Sequence, residues 1–175
     1  MAYKIHPLDL QPVTVVTLAA FTCTTVMESS YQMLLLLYGL RHADAKGSFS
    51  LEGAASRLER FFQLRVEAGL SPEKQPKTKA ENFTATRLRR TLIDQPYTIF
   101  EKYFLLSYDE QAGRLSFPEP LWTYLTDPNH KAEMTQIRAL ALGRLVEHFY
   151  GPRPAQSDKL AVADWVASSI EQGAK

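Results

Sequence analysis

A chain of 175 residues, 45% hydrophobic and 22% charged, carries enough apolar material to bury one core, as a single domain with a terminal extension. Its formal charge of +1 excludes an overall polycation, so any affinity for nucleic acid or an anionic surface must come from local clustering. The single cysteine, Cys23, excludes an internal disulfide framework and a cysteine-based zinc cluster, and fits a reducing, cytoplasmic compartment.

The arm through Pro12 reads as irregular, with prolines at 7 and 12. Residues 13–27, VTVVTLAAFTCTTVM, are undecided between strand and helix, since β-branched residues favour one and Ala19 and Ala20 the other. Cys23 lies among apolar residues there and is expected to behave as a small hydrophobe. Neither this stretch nor MLLLLYGL at 33–40 reaches the roughly 20 apolar residues that span a bilayer, so no membrane partner is expected.

From 28 to 42 the spacing of Tyr31, Leu34, Leu35 and Tyr38 predicts a helix. Leu36 and Leu37 carry the apolar run round its other side, which predicts deep burial or a shared seam with another chain. After a turn at Gly47, Ser50 is placed to cap a helix over 51–68 with Gly69 as its stop. SPEKQPKTKAEN, residues 71–82, is a proline- and lysine-rich linker. Thr84 then caps a short helix, TATRLRRTLI, with Ala85, Leu88 and Leu92 inward and Pro96 as its end.

Two apolar runs flanking DEQAGR within 102–117 predict a β-hairpin, ended by Pro118 and Pro120. Leu121, Trp122 and Leu125 start a helical turn, and Asp127-Pro128 opens a long helix closed by Gly151. A last helix over 158–171 aligns Val162, Trp165, Val166 and Ile170 on one face, with no obvious surface left to cover it. Trp165 and Ile170, with Leu36 and Leu37, are therefore candidates for contact with a larger subunit or a second copy.

The resulting class is mainly α with a small β-hairpin. Three helices followed by a two-stranded wing resemble the winged-helix variant of helix-turn-helix domains over residues 28–117. The division expected is an N-terminal arm or extension at 1–27, a winged-helix-like core at 28–126 and C-terminal helices at 127–175. The chain also resembles small winged-helix accessory subunits of bacterial multi-protein systems, including anti-phage ones. One departure is the twelve-residue linker, longer than the tight turn of a simple helix-turn-helix.

The charge is distributed unevenly. Between 71 and 91 stand Lys74, Lys77, Lys79, Arg87, Arg89 and Arg90 against Glu73 and Glu81, a local +4 that leaves −3 for the rest. Such a concentration suits phosphate, and arginine's planar fork donates paired hydrogen bonds to it. The winged-helix resemblance implies double-stranded DNA as ligand, with Arg87 and Arg90 as base or phosphate contacts and Arg114 at the wing as a backbone contact. The same segment also suits a protein interface, where arginine is enriched.

Reactive constellations are not legible. His6, His42, His130 and His148 are separated in sequence and read as surface or boundary residues, and no phosphate-cradling glycine loop or nucleophile elbow occurs. A metal-dependent nuclease is the enzymatic alternative, resting on Asp94, Glu101, Asp109 and Glu110 around the hairpin, though a solvated hairpin tip accounts for them. The expectation is a non-catalytic accessory subunit without a cofactor. A self-sufficient transcriptional regulator is the alternative.

Overall fold

The computed structural model describes residues 7–74 and 83–173. Among these, eight α-helices run in order as α1 (Pro7–Thr24), α2 (Tyr31–His42), α3 (Leu51–Glu67), α4 (Ala85–Leu92), α5 (Thr98–Lys102), α6 (Glu119–Thr126), α7 (Lys131–Tyr150) and α8 (Gln156–Ser168). Three short strands, β1 (Ser48–Ser50), β2 (Ser107–Asp109) and β3 (Arg114–Ser116), form one antiparallel sheet in the order β1-β3-β2. The fold is thus mainly helical with a small hairpin, as its pattern predicts.

α2 is the axle. Every residue from Gln32 to Leu40 is buried, because α7, α3, the sheet and the segment after α4 surround it. That accounts for an apolar run wider than one helical face. Gly39 allows the approach of β1, since a Cβ there would stand 2.8 Å from the Phe49 ring. The sheet seals the other end. Phe49, Leu115 and Tyr108 share one rung, with Phe49 and Leu115 wholly buried.

Local signals placed most helix ends correctly. The Ser50 hydroxyl accepts from the Gly53 amide at 3.0 Å, and Asp127 accepts from the Asn129 amide at 2.8 Å. Gly69 and Gly151 adopt positive φ, +79° and +81°, at the ends of α3 and α7.

Three expectations need correction, and the open reading of residues 13–27 closes as helix. Of the arm expected to be irregular through Pro12, residues 7–12 are helical, because α1 begins at Pro7, where proline suits a first helical turn. Residues 1–6 lie outside the described residues. The stretch 13–27 is helical to Thr24, with Leu18 and Phe21 in the core, and α1 packs on α6 and α7. Pro96 does not end its helix. The turn widens to a π-helical segment over Ile93–Tyr97, which accommodates the missing amide, and the chain continues straight into α5. Cys23 is exposed on α1.

The C-terminal helices close the domain. Val162, Val166 and Ile170 are buried where α8 meets α3 and α7. Trp165 stands edge-on to Phe61 at 6.4 Å, with the Arg65 guanidinium 5.2 Å from its ring. Leu36 and Leu37 are likewise interior. Leu36, Leu37 and Ile170 therefore present no free surface, and Trp165 is half-buried against the same chain. The apolar surplus of α2 and of the last helix is thus largely covered within this chain.

Candidate nucleic-acid interface

α4 owes its orientation to two leucines. Leu88 and Leu92 are fully buried, chiefly against α3, so the residues between them must face outward. The cap differs from the sequence expectation. Thr84 occupies the N-cap position without a side-chain bond, and the Glu59 carboxylate of α3 accepts from the Ala85 amide at 3.1 Å. A carboxylate there favours the positive end of the helix dipole.

Arg87, Arg89 and Arg90 are all exposed. Arg90 lies 3.4 Å from Asp94, one turn on, with side-chain exposures of 87% and 59%. So open a pair contributes little and gives way readily to a better anion. The Arg87 carbonyl accepts from the Thr91 hydroxyl at 3.0 Å, which holds that turn.

The other predicted cations divide. Lys74 is exposed, and its backbone amide donates to Glu73 at 2.8 Å. Lys77 and Lys79 lie outside the described residues. Arg114 is brought to the sheet, not to the α4 face. Its Nε donates to Ser48 Oγ at 2.7 Å, and its Nη2 to the Ser48 carbonyl at 2.8 Å and Asp44 Oδ2 at 2.9 Å. It ties β3 to the turn before β1. The hairpin tip beyond it carries exposed Asp109 and Glu110. The hairpin tip is therefore acidic.

Of the four carboxylates of the nuclease alternative, three lie beside different partners and Glu110 is exposed at the hairpin tip. Asp94 faces Arg90, Glu101 accepts from the Tyr97 hydroxyl at 2.8 Å, and Asp109 accepts from the Ala112 amide at 3.0 Å. Among the described residues, no three His, Cys, Asp or Glu side chains stand where they could share a metal ion.

Sequence reasoning missed one polar cluster. Glu73, read as a solvated linker charge, is buried, as are Ser30 and His148. Glu73 Oε2 accepts from the Ser30 amide at 2.9 Å and its hydroxyl at 2.6 Å, while Oε1 meets His148 Nε2 at 2.6 Å. Burial pushes the Glu73 carboxyl upward, but hydrogen bonds from His148, Ser30 and the Lys74 amide outweigh it and leave it below the usual carboxylate range. Nearby Tyr31 is pushed up to about 12 by burial and by the Glu73 charge.

A serine, an acid and a histidine invite comparison with a hydrolytic triad, but the order is wrong. The carboxylate sits between the other two, so the hydroxyl donates to Glu73 and has no imidazole as base. The cluster is a clamp. It joins the start of α2, the segment after α3 and the end of α7. Arg65 braces the same segment, its Nε reaching the Ser71 and Pro72 carbonyls at 3.1 and 3.0 Å while its guanidinium lies 3.7 Å over Phe149. The Glu73–His148 pairing spans 75 positions, and no local pattern announces it.

No helix among the described residues is long and apolar enough to cross a membrane. No family model, curated protein or solved structure matches the chain.

Proposed function

We propose that the chain is a non-catalytic, winged-helix-like accessory module that contacts DNA through the outer face of α4 while serving a larger protein assembly. The observation that carries this reading is the presentation of Arg87, Arg89 and Arg90 from a helix whose opposite side is anchored by buried Leu88 and Leu92. The element order supports it too: α2, α3 and α4 precede the β2–β3 hairpin, and β1 pairs with β3 to draw that hairpin onto the helices. The accessory role is preferred to a self-sufficient regulator because the wing adds no open cation. Arg114 is occupied by Asp44 and Ser48, and the tip is acidic. Three arginines engage few phosphates, which suits a module that adds to another subunit's grip.

The test is fluorescence anisotropy with a mixed-sequence duplex across a salt series. Three engaged phosphates give a log–log salt slope of about −2.7. Changing Arg87, Arg89 and Arg90 together to alanine should abolish binding while leaving the far-UV circular dichroism spectrum of the folded chain in place. Binding that survives the triple change, or none by the native chain at low salt, would refute DNA contact by α4.

A further inference from the structure

A concave strip follows the outer side of the π-helical segment and α5, facing the connection between α1 and α2. Its first half, about 400 Å³, is the more polar of the two and includes Glu28, Ser29, Gln32, Asp94, Gln95 and Thr98. Its second half, about 410 Å³, is mostly apolar, lined by Ala20, Phe21 and Tyr103 with Lys102 at the rim. Val26 and Ile99 belong to both halves, so the two are continuous.

Two features of this strip, and a neighbouring residue that does not line it, are costly to the isolated chain. Val26 is 77% exposed, and Phe104, just past Tyr103, is 83% exposed. Phe104 also holds φ +56°, a left-handed conformation that a side chain disfavours. Gln32 is only 4% exposed, yet its Oε1 has no hydrogen-bond partner. Open apolar and aromatic surface at Val26 and Tyr103 and an orphaned acceptor at Gln32 rarely gather without a ligand.

We infer that this strip docks a segment of a partner protein, one bearing an apolar anchor and a basic side chain beside it. The anchor fits between Phe21, Val26, Ile99 and Tyr103. The basic group fits the polar half, where Glu28 and Asp94 supply charge and Gln32 supplies an acceptor. Asp94 is available because its pair with Arg90 is long and open. Lys102 at the apolar end repels a second cation there and so sets the direction in which the segment lies. The two carboxylates also disfavour phosphate, which separates this strip from the α4 face.

The inference deepens the accessory reading and needs from it only that a partner exists. DNA binding by α4 is neither required nor implied.

A phage-displayed random 12-residue peptide library, panned on the full chain, supplies the probe. Enriched peptides should share an apolar residue and an arginine or lysine. Their affinity should fall at least tenfold with Val26→Glu and with Tyr103→Ala, both at exposed positions that line the strip. Asp94→Lys should remove the preference for the basic residue. Each of these variants should retain the anisotropy response to duplex DNA, and the triple arginine variant should retain the peptides. No enrichment, peptides without a basic residue, or peptides indifferent to Val26→Glu would overturn the proposal. So would a dimer in sedimentation that Val26→Glu dissolves, which would assign the strip to a second copy of this chain.

Discussion

Gly69 and Phe104 occupy the same place in the same helix-ending motif. After α3, the Gly69 amide donates to the Val66 carbonyl and the Leu70 amide to the Arg65 carbonyl. After α5, the Phe104 amide donates to Glu101 and the Leu105 amide to Phe100, an identical pattern. Glycine takes the left-handed conformation freely, and phenylalanine does so at a cost of about 1–2 kcal/mol. Phe104→Gly relieves that strain, offset in part by the greater freedom of glycine in the unfolded chain. A net gain of about 0.5–1 kcal/mol in urea unfolding is expected. Gly47 should give the opposite sign. It holds φ +79°, and a Cβ would lie 2.7 Å from the Trp122 ring, whose Nε1 donates to the Asp44 carbonyl. Gly47→Ala should therefore cost about 2 kcal/mol or more, read by the same unfolding curve.

At the scale of one element, α4 separates a buried, stabilising face from an exposed, basic one. Leu88→Ala removes a fully buried side chain and should cost about 2–5 kcal/mol. Arg89→Ala touches only solvent and should leave chemical stability within about 0.5 kcal/mol. If both changes cost alike, Arg89 is part of the packing and the face cannot be a free contact surface. The division between these faces was readable in advance because it rests on a 3.6-residue period within eight positions. Ser50, Gly69, Asp127 and Gly151 were readable for the same reason, since a cap bonds within its own turn. Signals carried by distant residues were not. The cap of α4 comes from Glu59, 26 positions away, and Arg114 is withdrawn from the wing by Ser48, 66 positions away. Leu36, Leu37 and Ile170 looked surplus only because a chain read locally does not show α7 and α8 closing over α2 and α3. Pro96 misled in another way: a widened turn absorbs the missing amide where a helix break was expected.

Across the whole molecule, the Glu73 clamp is where acid should act first. Its carboxylate links the start of α2, the segment after α3 and the end of α7, and it anchors the chain where the basic linker begins. Because its carboxyl titrates lower in the folded state than the usual 4.5, the ionised form stabilises the fold. That contribution is complete above about pH 5.5, begins to fade as unfolded-state carboxyls take up protons, and is gone once the pH falls through the depressed folded value. Glu73→Gln keeps the shape and one acceptor but loses the charge and faces His148 with a weaker partner. It should lower stability near neutral pH by roughly 2–3 kcal/mol. It should also flatten the acid limb, so that native and variant chains converge in stability at low pH. Urea midpoints collected from pH 3 to pH 7 would show this convergence. A constant gap between the two proteins across that range would mean that Glu73 stabilises by packing alone and that acid unfolding starts elsewhere.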